Sequence, residues 1–400
     1  MIIKRTLEEK LKLLAIQFGA VTVTGPRQSG KTTLAKETFP TYEYFNFEDP
    51  NTRSIFRADP HNFLKKFMDA PGLILDEPQN VPEIFSYLQI YIDQLHKPGH
   101  FIITGSQNFL LNESISQSLA GRVAILTLLP LSIHELVQAK KLPGTVDETL
   151  FKGFYPELYK KEISVVDWYG SYVNAYLERD VRQLKNVASL DRFYFFMKLC
   201  AGRNGQILNL SSVSDDLGVS VPTVKQWLSV LQSCYIIFLL EPYYKDFRKR
   251  VVKSPKIFFY DSGIVCSLLN LTSSEQLFAN YMRGNMFEAM VISDLLKQQY
   301  NHGLRPSCYY WRDKADFEID CIVEQGGKII PIEIKASKTV DFEALDKLTP
   351  WNTLTKTKQP DNVLIYGGDE DWDMQKGRVV SWRSAGSLLA ERRVDLIRLG

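Results

Sequence analysis

Cysteine is scarce in this chain: Cys200, Cys234, Cys266, Cys308 and Cys321 are all there are in 400 residues. They form no Cys-x-x-Cys pair and have no histidine at ligand spacing, which argues against zinc and for reduced thiols in a cytoplasmic protein. Long apolar runs are missing too. No stretch approaches the roughly 18 uninterrupted apolar residues of a membrane helix. The opening Met-Ile-Ile-Lys-Arg-Thr-Leu-Glu-Glu-Lys lacks the apolar core of a signal peptide. An excess of one charge is also absent: the formal balance is +2, so any nucleic-acid surface is local rather than global. Low-complexity segments and internal repeats are not found. What remains, 45% hydrophobic and 24% charged residues, is the composition of a soluble globular protein, and the length predicts two or three domains.

Residues Gly25 to Thr32 read Gly-Pro-Arg-Gln-Ser-Gly-Lys-Thr. This is the phosphate-loop pattern G-x-x-x-x-G-K-[ST], and its context is right: Ala20 to Thr24 gives an incoming strand and Thr33 to Glu37 opens a helix. The glycines let backbone amides turn toward phosphate, and the helix amino terminus adds its positive dipole. Gly25, Pro26, Arg27, Gln28, Ser29, Gly30, Lys31, Thr32 and Thr33 are therefore the candidate ATP-binding residues. Lys31 suits the β- and γ-phosphates, and the Thr32 hydroxyl suits magnesium.

Gly72-Leu73-Ile74-Leu75-Asp76-Glu77 is an apolar run ending in two carboxylates, as a buried parallel strand does where its carboxyl end meets a ligand. Asp76 suits the magnesium shell shared with Thr32, and Glu77 suits polarising the water that attacks the γ-phosphate. A third strand, Phe101 to Thr104, ends at Ser106, a candidate γ-phosphate sensor with Thr104 behind it. Arg122, in Leu-Ala-Gly-Arg before the apolar run Val123 to Leu129, is a candidate arginine finger acting in its own subunit or a neighbour's. An ordinary surface ion pair is the competing account.

These four segments, in this order, resemble the AAA-type ATPases of prokaryotes. The remainder of the chain resembles the uncharacterised carboxy-terminal region that accompanies that motor domain. The resemblance covers nearly the whole chain and implies an ATPase using ATP and Mg2+, while saying little about the biological process.

The expected fold class is α/β: a P-loop parallel-sheet domain over residues 1–140, a helical and winged-helix module over 141–270, and a restriction-endonuclease-like domain over 271–400. Strands are expected at Ala20 to Thr24, Tyr42 to Phe47, Leu73 to Asp76, Phe101 to Thr104 and Val123 to Leu129. Lys140 to Thr145 reads as a linker. Val165 to Lys185 is expected to be helical, its tyrosines in a core, with Arg179 or Arg182 as lid arginines.

Leu210 to Ser220 reads as a capped helix and glycine turn, and Val221 to Leu228 as a second helix with proline in its first turn. Thr223, Lys225, Gln226 and Ser229 lie toward its exposed face and are candidate DNA contacts. Strands at Tyr235 to Leu240 and Lys253 to Tyr260 flank a basic stretch. Its Lys245, Arg248, Lys249, Arg250, Lys253 and Lys256 are opposed by Asp246 alone, which reads as a basic wing for DNA. Protein docking and an ATPase lid are the competing roles.

Near the carboxyl end, Phe317 to Val323 and Lys328 to Lys335 are expected strands joined across Gln325-Gly326-Gly327. They carry Asp320, Glu333 and Lys335, the D…E-x-K constellation of the restriction-endonuclease-like fold. Glu333 and Lys335 share a strand face. Glu288, on an upstream amphipathic helix, takes the place of that fold's helical acid. Asp320, Glu333 and Glu288 are candidate metal ligands, and Lys335 a candidate group for orienting water. A salt-bridged cluster on a solvated sheet edge is the competing account. The leading functional expectation is an ATP-driven protein that remodels, branch-migrates or processes DNA, with ATP-promoted homo-oligomers and no membrane partner. The alternatives are an ATP-dependent regulatory switch, and an assembly or sensor protein whose carboxy-terminal fold only mediates contacts.

Overall fold

The computed structural model describes residues 2–106, 119–176, 189–243, 254–313, 317–355 and 361–390. They group into two compact units. The first holds residues 1–131 with 233–235 and 300–304, and the second holds the rest.

The first unit is built on a five-stranded parallel sheet of β1 (Ala20–Thr24), β2 (Glu43–Asn46), β3 (Leu73–Asp76), β4 (Phe101–Gly105) and β5 (Val123–Thr127), in the order β2-β3-β4-β1-β5. Every residue of β1, β3 and β4 is buried, which is why these strands read as continuous apolar runs rather than alternating ones. Successive side chains serve opposite faces. Leu73, Leu75, Phe101 and Ile103 join a core with Phe47, Phe56, Phe63 and Leu88. Val21, Val23, Ile74 and Ile102 join another with Leu7, Leu11 and Leu34. Burying each such side chain contributes about 1.5–3 kcal/mol.

Two aspartates set helix starts on one side of the sheet. Asp49 accepts from Asn51 N (3.0 Å) ahead of the helix Pro50–Ala58, and Asp59 accepts from Asn62 N (2.9 Å) ahead of Pro60–Lys65. Each is followed by proline at the first helical position, where a missing N–H costs nothing. The expected strands are all present, with the second and last shorter than the apolar runs suggested.

The described residues of the second unit form two sheets. Helix Leu190–Gly202, β6 (Gln206–Ile207), helices Leu210–Leu217 and Val221–Ser233, β7 (Ile237–Leu240) and β8 (Lys256–Phe259) succeed one another, and the strands pair antiparallel in the order β6-β8-β7. Asn209 caps the Leu210 helix by accepting from Ser212 N (3.1 Å), and Gly218 closes it at φ 61°. Phe193, Phe196 and Trp227 pack ring to ring at 5.4–5.7 Å.

The larger sheet is mixed: β9 (Cys308–Arg312), β10 (Glu318–Gln325), β11 (Lys328–Lys335), β12 (Val363–Tyr366), β13 (Trp372–Met374) and β14 (Gly377–Ser381), in the order β13-β14-β12-β11-β10-β9. β9, β10 and β11 form an antiparallel meander, and β12 returns parallel to β11. Gly326 and Gly327, at φ 58° and 76°, make the β10–β11 turn, a conformation most side chains resist. The helix Arg283–Asn301 precedes the meander.

Lys256 departs from the expected basic wing. Its side chain is only 4% exposed and bound to Glu288 and Glu318. A lysine in a fully buried strand keeps its charge by ion pairing rather than by hydration. The helix expected over 165–185 is described as Val165–Tyr176. Arg179 and Arg182 lie outside the described residues, as do Lys245, Arg248, Lys249, Arg250 and Lys253.

Candidate active site

The loop from Gly25 to Gly30 leaves β1 and enters the helix Lys31–Thr38. Gly25, Gln28 and Gly30 all have positive φ, at 147°, 60° and 95°. At Gly25 a Cβ would also collide with the carbonyl oxygen of Leu128, so only glycine fits. Arg5 fixes the loop from behind, its Nη1 donating to Ser29 O at 2.7 Å and its Nη2 to Leu129 O at 2.7 Å. Lys31 Nζ donates to the carbonyls of Gly25 (3.1 Å) and Pro26 (2.8 Å). Ser29 Oγ is buried without a hydrogen-bond partner. An orphaned hydroxyl inside a loop at a helix amino terminus suits a phosphate group.

The acids of β3 stand beside it. Thr32 Oγ1 donates to both carboxylate oxygens of Asp76, at 3.1 and 3.0 Å. Tyr44 OH donates to Asp76 Oδ2 at 2.9 Å, and Thr104 Oγ1 donates to Oδ1. Burial and the neighbouring Asp76 charge push the Tyr44 hydroxyl up, which keeps it a donor. A hydroxyl and a carboxylate converging in this way make a hard-oxygen set that fits magnesium. Glu77 has φ 54° and accepts from Ser106 N (3.0 Å), from Ser106 Oγ (3.1 Å) and from Gln79 Nε2. The strand order explains the grouping: β4 lies between β1 and β3, so Thr104 and Ser106 emerge between the phosphate loop and the acid pair.

A second cluster of ionisable groups lies in the larger unit. Lys335 Nζ is 2.6 Å from Glu333 Oε1 and 4.0 Å from Asp320 Oδ2, and Lys347 is 3.9 Å from Glu333. Lys256 Nζ is 2.9 Å from Glu288 Oε1 and 2.5 Å from Glu318 Oε1, and Arg312 is 3.3 Å from Glu318. The β10–β11 ladder stops at Cys321↔Ile332. Just beyond it the Asp320 carboxylate takes the N–H of Ile334 at 2.8 Å in place of a backbone carbonyl.

Burial, and then the Asp320 charge, push Glu288 up to about 8 and Glu333 up to about 7. Burial raises Asp320 as well. It works against the charges on Lys256 and Lys335, but the surrounding acids outweigh it and hold both above the usual lysine value. Among the described residues no group of three or more His, Cys, Asp or Glu converges to hold a metal ion. In this arrangement each carboxylate already has a cation of the chain beside it, and the donor set does not fit a metal.

Residues 17–137 match the family model described as AAA domain. The match supports an AAA-type ATPase in the amino-terminal part of the chain. Residues 144–275 and 283–385 match two domains of unknown function, DUF8612 and DUF4143. The chain is similar to the uncharacterized proteins Rv2008c of Mycobacterium tuberculosis and Mb2031c of Mycobacterium bovis. Each is 29% identical over 343 residues, covering 84% of this chain and 74% of the relative. Among solved structures it is similar to a Walker-type ATPase of Pyrococcus abyssi, at 14% identity and a TM-score of 0.47, covering 67% of this chain and 96% of that one. No helix among the described residues is long and apolar enough to cross a membrane.

Within this amino-terminal region, Lys31, Thr32, Asp76, Glu77 and Ser106 come together. Ser106, the expected γ-phosphate sensor, donates to Glu77 from its N–H and its hydroxyl. Tyr44 adds a partner for Asp76 that nothing in its local sequence signals, and Gln79 adds one for Glu77 from two positions away. Arg122 does not join them. β5 runs parallel to β1 with Ala20 opposite Val123, so Arg122 stands at the amino end of the strands, about 16 Å of strand length from the phosphate loop. There it pairs with Asp93 at 2.6 Å, so a role as a finger in its own subunit is excluded by the strand direction. Of the expected DNA-facing residues, Lys225, Gln226 and Ser229 are exposed. Thr223 is half-buried, its hydroxyl 2.8 Å from that of Ser220.

Proposed function

We propose that this chain is a magnesium-dependent ATP hydrolase that works on DNA. The observation that carries the ATPase half is the convergence of Thr32, Asp76, Glu77 and Ser106 at the carboxyl ends of three adjacent parallel strands. Lys31 exchanges its loop carbonyls for the β- and γ-phosphates. Thr32 and Asp76 hold Mg2+, which supplies neutralisation of phosphate charge. Tyr44 and Thr104 fix the Asp76 carboxylate. Glu77 polarises the attacking water, and Ser106 sets the direction in which its carboxylate points. Arg122, at the far end of the sheet, serves a neighbouring subunit's site in an ATP-promoted homo-oligomer.

The DNA half draws support from the second unit. A helix, a short strand, two helices and a two-stranded return is the order of a winged helix, and the exposed Lys225, Gln226 and Ser229 lie on the second helix of the close pair. A helix with an inward acid, an antiparallel meander bearing Asp320, Glu333 and Lys335, and a parallel return strand support a restriction-endonuclease-like fold. The lysine-paired state of its acids favours gripping DNA over cutting it. That same observation keeps a second reading alive, an ATP-dependent regulatory switch with a non-cleaving nuclease-like scaffold. Turnover of ATP by the purified chain, measured with and without single-stranded, duplex and branched DNA, separates the two. Strong stimulation by one DNA form supports the machine, whereas sequence-selective binding without stimulation supports the switch.

A further inference from the structure

Lys256 enters the carboxylate cluster from outside the sequence motif that marks it. It lies on β8 of the small three-stranded sheet, whereas Glu288 belongs to the helix Arg283–Asn301 and Glu318 to β10 of the large sheet. Its ammonium stands between two carboxylates of different elements, 2.9 Å from one and 2.5 Å from the other, with its side chain 4% exposed. Tyr310 and Phe258 present ring faces to it at 5.6 and 6.0 Å.

We propose that Lys256 is the resident counter-cation of the nuclease-like cluster, and that it keeps a divalent metal ion out. The proposal rests on the nuclease-like reading of Asp320, Glu333 and Lys335 and adds to it a cation already seated beside the helical acid Glu288. An ammonium and a hard divalent cation neutralise the same carboxylates, and like charges held a few ångströms apart away from water exclude one another. Lys335 answers Glu333 from the same strand face. Glu288, the helical acid, depends on Lys256, a residue brought in from another sheet. Access of metal to this cluster is therefore governed by the position of β8.

The test uses the full chain without nucleotide, with Mn2+ as the probe, and reads thermal midpoints and bound Mn2+ by equilibrium dialysis. Lys256→Met leaves the half-buried Glu288 without its cation and Glu318 with Arg312 alone, so in EDTA its midpoint falls. Mn2+ then restores the midpoint, and affinity at this cluster rises on the order of a hundredfold over the unmodified chain. In Lys256→Met/Glu288→Gln the uncompensated charge is gone, so the midpoint in EDTA recovers and the Mn2+ response disappears. Lys256→Arg keeps the cation and behaves like the unmodified chain.

If Lys256→Met does not fold, the double variant carries the test: its folding supports the proposal, and its failure to fold overturns it. An unmodified chain whose Mn2+ stabilisation is abolished by Glu288→Gln overturns it as well, as does a Lys256→Met protein with an unchanged midpoint and no gain in Mn2+ binding. DNA nicking is scored separately. A Lys256→Met protein that gains Mn2+ yet nicks no DNA form upholds the role of Lys256 and removes the cutting part of the nuclease-like reading.

Discussion

Replacing Glu77 with glutamine should separate the binding of ATP from its hydrolysis. The carboxylate accepts hydrogen bonds from Ser106 and Gln79. Glutamine has the same shape and keeps one oxygen to accept from Ser106 N. Its amide nitrogen would face a second donor, a mismatch of about 1 kcal/mol in stability. Nucleotide affinity should therefore stay within a few-fold of the unmodified chain. Turnover should fall by about 10²–10⁴, the usual contribution of a positioned general base and equivalent to roughly 3–5 kcal/mol of barrier. Ser106→Ala provides the internal scale. It removes the hydroxyl contact at 3.1 Å but keeps the backbone N–H at 3.0 Å, so turnover should fall only about tenfold. Equilibrium binding of ATP and single-turnover hydrolysis are measured on both variants. If Glu77→Gln hydrolyses ATP within about tenfold of the unmodified chain, or loses no more than Ser106→Ala, Glu77 is not the base.

Three other outcomes rest on particular side chains. Arg122→Ala should leave the thermal midpoint essentially unchanged, because its pair with Asp93 is exposed; lost turnover, restored by mixing with Lys31→Ala subunits, would place it at a neighbour's site. Asp294 is buried, its carboxylate accepting from Ile133 N at 2.7 Å, and burial raises it from 3.8 to about 6. A raised acid favours the protonated folded state, so stability falls as pH rises from about 4 through 6; Asp294→Asn should flatten that window and add up to about 3 kcal/mol above it, read from thermal midpoints across pH. Neutralising Lys245, Arg248, Lys249 and Arg250 should weaken DNA binding and flatten its dependence on salt by about 0.9 in the log–log slope for each phosphate left without its cation.

The phosphate loop was legible because its requirements are local. Gly25 and Gly30 adopt positive φ within one loop, and the apolar runs of β1, β3 and β4 announce their burial directly. Tyr44 and Thr104 reach Asp76 through the sheet. Thr104 lies opposite Asp76 across the β3–β4 ladder, and Tyr44 comes from the strand on the other side of β3. Such neighbours depend on strand order, which no single segment encodes. Arg122 illustrates the same limit, since its place depends on which end of a parallel strand it precedes. Lys256 was read with the basic residues next to it in the chain, while its partners lie 32 and 62 positions further on (288 − 256 and 318 − 256). Separation of that kind hides an ion pair from composition and spacing alike.

The position of β4 in the middle of the parallel sheet has a bearing on how the nucleotide site endures fluctuation. Opening of a sheet begins at its rims, here β2 and β5, and the innermost strand exchanges its amide hydrogens last. Thr104 and Ser106 hang from the end of that strand, and Asp76 from the strand beside it. A rim can fray and re-form many times while the alignment of Ser106 with Glu77 persists. Amide exchange should accordingly be slowest along Ile102 and Ile103 and fastest at Glu43 and Thr127, with the groups that handle phosphate fastened to the slow end of that gradient.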